Sequence, residues 1–279
     1  MAVKKTIDSE VTLSGIGIHS GKSVKLKLVP SYSGEIVFKR LDLGSLEFRL
    51  LPENIEAKNC AMLVTAQGKI RTLEHLLAVL WVYGIVSLTV ELDQEEIPAM
   101  DGSAIHFVDA IHKAGLRDLP EENTAIKIIE PFIIQEEDAS ITAVPDPELK
   151  ITYHIDFEHP SIKKQGLSLI LNPGSFEREI APARTFGFLE NVSDLRKKGL
   201  ARGGSLENAI VLDKTRVISG PLRYPDEFVR HKILDLIGDL SLIGKQIAGH
   251  FIAKKAGHAL HLRVVRFLLD NPEYLAPDQ

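Results

Sequence analysis

A chain of 279 residues, 44% hydrophobic and 25% charged, is long enough for one large domain or two modest ones with a sizeable core. A net charge of −5 and a pI near 6.1 argue against broad attraction to nucleic acid or anionic lipid, so a polyanionic ligand would have to be met by a local basic patch. Cys60 is the only cysteine, which excludes an internal disulfide and a thiolate-rich metal site and makes the cytoplasm the expected compartment.

The N-terminal "MAVKKTIDSEVTL" carries charge with no apolar run behind it, unlike a secretory signal. The β-branched runs "VTLSGIGIHSGKSVKLKLV" and "GEIVFKR" predict strands joined by glycine-containing turns. In "RTLEHLLAVLWVYG" apolar residues fall at helical spacing; a strand "VSLTVEL", a turn at "DGS" and a helix "AIHFVDAIHKAG" ending on glycine follow. The run "LLAVLWVYGIVSLTV" is shorter than the roughly 20 residues of a membrane-spanning helix. Its central "YGIV" reads as a helix stop followed by a strand, so no transmembrane segment is expected. The polar "RDLPEEN" reads as a linker.

The second half begins again with strand-like runs, "AIKIIEPFIIQ", "SITAVP" and "LKITYHIDF", and continues with a helix in "FVRHKILDLIGDLSLIG", a strand "IAGHFIAK" and a helix "ALHLRVVRFLLDN". The repeated order predicts an α+β protein of two similar domains, residues 1–120 and 124–279, each packing a helical layer on a mostly antiparallel sheet. Residues 185–213, "TFGFLENVSDLRKKGLARGGSLENAIVLD", read as an insertion with a short helix, a basic cluster, a glycine pair and a strand.

On the helix of the second half, His231, Asp235 and Asp239 fall within roughly 80° of one another, with Lys232 beside them. His231 and Asp235, four residues apart, can share one metal ion. The matching helix of the first half carries His75, and face-to-face packing of the halves would bring it to the same ion. Two histidines and one carboxylate leave a fourth tetrahedral position open for water, as catalytic zinc sites require; the same set suits Fe²⁺. Glu74 points about 100° away from His75 and could act as a base on that water. His258, at the start of the last helix, could protonate a leaving amine if cationic, and Asp239 could hold it. Each residue also has a plainer reading: His75 bonded to a backbone carbonyl, Glu74 and Asp239 solvated, His258 on the surface.

"GIHSGK", "TLEHLLAVL", "IPAMDGSA", "ARTFGF", "GGSLENAIV", "EFVRHKILDLIGDL" and "GHAL", in this order, strongly resemble the UDP-3-O-acyl-N-acetylglucosamine deacetylases of lipid A biosynthesis. Leu73 departs from the commoner "TVEH", and His106 stands where the family often has a small residue or proline. The resemblance implies a Zn²⁺-dependent amidase and two α+β domains with an inserted subdomain in each half. It implies His75, His231 and Asp235 as metal ligands, Glu74 as base, His258 as acid supported by Asp239, and Thr185 as an oxyanion donor. It further implies Val192, Ala201, Leu206 and Val211 along an acyl-chain passage, Phe186 as a substrate contact, Lys232 and Lys255 on the diphosphate and Phe157 against uracil. His19 and His106 receive no role, and a monomer is expected. The competing reading is a non-catalytic nucleotide-sugar-binding protein whose His75, His231 and Asp235 form a structural clip. A zinc peptidase is disfavoured because H-E-x-x-H is absent.

Overall fold

A computed structural model describes residues 3–57, 60–122 and 124–278. A five-stranded sheet and five strands of a seven-stranded one share one plan. In the first the order is Val11–Ile16, Ser23–Pro30, Leu88–Leu92, Ile36–Arg40, Leu46–Arg49, and only Ile36–Arg40 and Leu88–Leu92 run parallel. In the second it is Phe132–Glu136, Ala139–Val144, Ile247–Lys254, Leu149–Phe157, Lys163–Ile170, and of these only Leu149–Phe157 and Ile247–Lys254 are parallel. Ile126–Ile128 and Leu275–Pro277 extend the second sheet.

A parallel pair requires a crossover, and a helix supplies it in each half. The α-helices, in chain order, are α1 (Glu74–Val82), α2 (Ile105–Ala114), the one-turn α3 (Pro173–Ser175), α4 (Leu189–Lys197), α5 (Glu227–Leu240) and α6 (His258–Asp270). The crossovers in question carry α1 and α5. Strand residues alternate as a half-covered sheet demands: Val24, Leu26 and Leu28 face inward in the first sheet, and Ile151, Tyr153 and Ile155 in the second.

The two helical layers meet in the middle of the molecule. Helix α1 packs mainly on α5 and also on α2, α5 packs on α6, and each half's helices cover its own sheet. Every residue of α1 is buried, which accounts for a helix that is apolar nearly all round after Glu74 and His75. Its far end is tied across the halves, where the Trp81 indole N–H donates to the Lys245 carbonyl at 3.0 Å.

The approach of α1 and α5 is set by one residue. A Cβ placed on Gly238 would lie 2.2 Å from the Glu74 carbonyl oxygen and 2.7 Å from its carbon, both backbone atoms. Only glycine lets the start of α1 rest on α5 at this depth.

Several expectations change. "RDLPEEN" is no free linker: Leu116–Glu122 is a strand antiparallel to Val3–Ile7, with Asn123 outside the described residues. Arg117 and Asp118 face solvent and Leu119 is a buried anchor, so a hydrophobicity pattern could not announce it. Lys163–Ile170 was equally silent, because this edge strand buries none of its side chains. The first half also holds a small sheet of Ile55–Ala57, Ala61–Thr65 and Gly68–Arg71. The run 76–90 divides as expected into the end of α1, a turn at Gly84 and a strand. Among the described residues no helix is long and apolar enough to cross a membrane.

Gly238→Ala decides whether this contact governs the packing. Alanine favours a helix interior by about 1 kcal/mol, whereas overpacking costs roughly 1–3 kcal/mol. Urea unfolding is expected to show net destabilisation; a stabilised variant would mean that the two helices can separate freely.

Candidate functional site

Against the close contact at Gly238, the first turn of α1 presents Glu74 and His75 to the polar stripe of α5. His75 Nε2 lies 3.8 Å and His231 Nε2 3.3 Å from Asp235 Oδ1, and one ligand atom from each of the three falls within 4.8 Å of the others. The imidazoles meet edge to face with centroids 5.0 Å apart. Donors on a tetrahedral ion with bonds of about 2.1 Å are spaced about 3.4 Å apart, so the trio fits one small divalent cation.

The donor chemistry fits as well. His231 Nδ1–H donates to the Ala183 carbonyl at 3.2 Å, which leaves Nε2 as the free lone pair. Burial, more than any neighbour, lowers the His231 pKa to about 3, so its ring is neutral. Burial pushes the Asp235 carboxyl up, but Lys232, His231 and His258 outweigh it and hold the group well below the usual carboxylate range. Lys232 Nζ donates to Asp235 Oδ2 at 2.7 Å.

Glu74 is buried, and burial raises its pKa against the pull of His258 and His75. Its Oε2 accepts from the Ala61 N–H at 3.1 Å, and Oε1 is 3.9 Å from His258 Nε2. His258 is buried at the first position of α6, with Nε2 3.8 Å from Asp235 Oδ2. Burial alone would lower its pKa; Asp239, Asp235 and Glu74 reverse that and raise it to about 10, so the ring is cationic at neutral pH. Asp239 is neither solvated nor remote: 1% exposed, it accepts from His258 Nδ1–H at 2.7 Å. Asp239, His258 and His261 form a second cluster with metal-ligand atoms, but both Nδ1 atoms sit 2.7 Å from the same oxygen, which describes hydrogen bonds.

These groups open into a cavity of about 560 Å³ lined by Glu74, His75, His231, Lys232, Asp235 and His258 at its polar end. Thr185, Phe186, Val192, Ala201, Leu206 and Val211 also line it. Leu206 is 52% exposed and α4 buries none of its residues, whereas Ile210 and Leu212 at the end of the insertion are fully buried in the core.

Thr185 is held by backbone on two sides: its N–H donates to Gly102 O at 2.8 Å, and its carbonyl accepts from Ile210 N–H at 2.7 Å. Arg184 beside it is clamped to the fully buried Glu227, whose carboxylate also accepts from the Arg223 N–H at 2.6 Å.

Phe157 and Lys255 are not among the residues that line this cavity. Phe157 packs edge to face on Phe186 with centroids 5.6 Å apart. Lys255 is paired with Asp138 at 2.7 Å and Asp156 at 3.5 Å, and lines a separate depression of about 410 Å³ with Lys164 and Lys254.

Sequence reasoning missed the groups behind the first contacts: the Ala183 carbonyl, the Ala61 N–H, Glu227, Tyr153 and His261. Only His261 carried a readable signal, three residues after His258 on the same helix face. His19 lines the cavity, and its backbone N–H donates to the buried Glu96 at 2.8 Å; His106 lies 3.5 Å from Asp101, outside it.

A family model described as UDP-3-O-acyl N-acetylglycosamine deacetylase matches residues 4–270. The chain belongs to that family. A UDP-3-O-acyl-N-acetylglucosamine deacetylase of Thermodesulfovibrio yellowstonii is 48% identical over 275 residues, 98% of this chain and 94% of the relative. Proteins of the same description from Myxococcus xanthus and Leptospira biflexa are 44% and 41% identical, over 96% of this chain and 87% and 90% of their own lengths. Membership in this deacetylase family accords with the candidate metal-binding trio.

Glu227→Ala would leave the Arg184 guanidinium without its carboxylate next to Thr185. Because Arg184 reaches partly to solvent, the expected loss is roughly 2–4 kcal/mol, at or below the ~3–5 of a fully buried pair. Denaturant unfolding checks it, and an unchanged midpoint would show that the clamp contributes nothing.

Proposed function

We propose that this protein is a metal-dependent deacetylase that removes the N-acetyl group from UDP-3-O-acyl-N-acetylglucosamine in lipid A biosynthesis, as a cytoplasmic monomer of two domains, 1–120 and 124–279. The observation that carries this reading is the convergence of His75, His231 and Asp235 beside a buried carboxylate, Glu74, and a cationic imidazole, His258, in one open cavity.

A divalent cation, Zn²⁺ or Fe²⁺, held by His75 Nε2, His231 Nε2 and the Asp235 carboxylate would supply Lewis-acid activation of the amide carbonyl and of a water molecule. Glu74 takes a proton from the attacking water; its raised pKa makes it a better base than an ordinary glutamate. The Thr185 hydroxyl donates to the carbonyl oxygen as negative charge develops there. His258 Nε2 gives its proton to the nitrogen of the departing amine, and Asp239 keeps the ring charged and aimed. One carboxylate biased toward accepting a proton and one imidazole biased toward holding one divide the acid and base work.

Val192, Ala201, Leu206 and Val211 receive the acyl chain along the apolar wall. Lys232, already at the polar end of the cavity, meets the diphosphate. Lys255 joins it by exchanging Asp138 for phosphate, and Phe157 offers its ring to uracil beside Phe186.

The competing structural clip has no use for a base beside the metal. Acetate release from the UDP-linked, acylated sugar is expected to require metal and to stop on chelation. Glu74→Gln should keep one metal per chain and lose roughly 10²–10⁴-fold in kcat. Binding of the nucleotide sugar without acetate release over hours would favour the clip, and full activity in Glu74→Gln would remove that residue from the reaction.

A further inference from the structure

The reaction above makes no use of His261, although it is fully buried one helical turn beyond His258. Its Nδ1 lies 2.7 Å from Asp239 Oδ2, the same oxygen that His258 Nδ1 reaches at 2.7 Å. The other side of the ring is closed: Nε2 is 3.1 Å from the Tyr153 hydroxyl, whose single proton is shared between that nitrogen and the Ala256 carbonyl 2.7 Å away. Asp239 Oδ1 is buried with no hydrogen-bond partner. One oxygen of this carboxylate thus carries both imidazoles while the other carries nothing.

A buried carboxylate oxygen without a donor is costly, and it is tolerated when the other oxygen receives strong charge-assisted bonds. The arrangement also bears on orientation. A carboxylate bonded to His258 alone could turn about its own Cβ–Cγ bond and take the imidazole with it. A second donor, fixed on the same helix and packed against a ring on the second sheet, removes that freedom. The Tyr153 ring meets His261 edge to face with centroids 6.1 Å apart, so packing as well as hydrogen bonding holds it.

We propose that His261, braced by Tyr153, is a positioning residue that fixes the Asp239 carboxylate and through it aims His258 Nε2 at the cavity. The proposal rests on the reading of His258 as the group that protonates the leaving amine, and it adds an outer shell that runs from the second sheet to the reacting atoms.

The test compares two substitutions in the purified holoenzyme. His261→Asn can place an amide N–H near the lost Nδ1–H, whereas His261→Leu fills similar space without a donor. The leucine variant is expected to keep one metal per chain and an unchanged KM while kcat falls roughly 10–100-fold, the usual effect of removing an outer-shell partner. The asparagine variant should recover to within a few-fold of wild type.

Proton NMR supplies a readout separate from turnover. Wild-type protein should show two low-field imidazole N–H signals, from His258 and His261. His261→Leu should keep one of them, shifted and exchanging faster with water. Should the leucine variant not fold, Tyr153→Phe, which removes the brace and retains the ring, should broaden the His261 signal and lower kcat a few-fold.

Wild-type kcat in His261→Leu would overturn the proposal, as would an asparagine variant no better than leucine, or a second bound metal per chain lost with His261. If His258→Ala retains turnover, the acid reading fails on its own, and the NMR signals alone then decide whether His261 holds Asp239 and His258 together.

Discussion

The architecture of this site depends on two helix backbones touching. Where Gly238 of α5 passes the carbonyl of Glu74 there is no room for a Cβ, and the contact brings the first turn of α1 down onto the polar stripe of α5. The two helices are crossover elements of equivalent sheets, so the molecule makes its reactive centre where two copies of one plan face each other. His75 comes from one copy and His231 and Asp235 from the other, and neither half holds the trio alone.

Burial at that junction gives the chemistry its direction. Glu74 and Asp235 lie in the same dry space, yet their proton affinities part: burial dominates at Glu74 and raises it, while Lys232, His231 and His258 outweigh burial at Asp235 and keep it ionised. His258 and His231 part in the opposite sense, the first cationic beside three carboxylates and the second neutral. Two carboxylates and two imidazoles thereby come to hold their protons differently, as the proposed base, acid and two metal ligands require. The outer contacts, from Ala183 on His231 to His261 on Asp239, hold these four in place.

Much of this was legible in the chain. The repeated order of strands and helices gave the α+β class, and helical spacing put His231, Asp235 and Asp239 on one face. The equivalence of the two halves linked His75 to them across 156 residues, the difference between positions 231 and 75. Less legible was how deeply the polar residues are covered. A stripe that contains two aspartates looks like a solvated face until a second helical layer with polar groups of its own is laid on it, and this is why Asp239 and His258 admitted surface readings. The strand Leu116–Glu122 escaped because backbone pairing holds a polar ribbon, and one buried leucine is too little pattern. Thr72 and Ala201, which line the cavity, adopt positive φ, as do Met100 and Lys255 outside it. None is a glycine, so no residue type marked these strained turns. Of the family-implied positions, Lys255 is paired with Asp138 and Phe157 packs in an aromatic cluster with Phe186 and Phe188.

The most direct measurement is metal-edge X-ray absorption, with anomalous diffraction, on the active protein. The proposed function predicts one divalent ion per chain in a shell of two imidazole nitrogens and a carboxylate oxygen, from His75, His231 and Asp235, completed by an exchangeable solvent oxygen. An ion seated instead among Asp239, His258 and His261, or full activity with no ion at all, would contradict it.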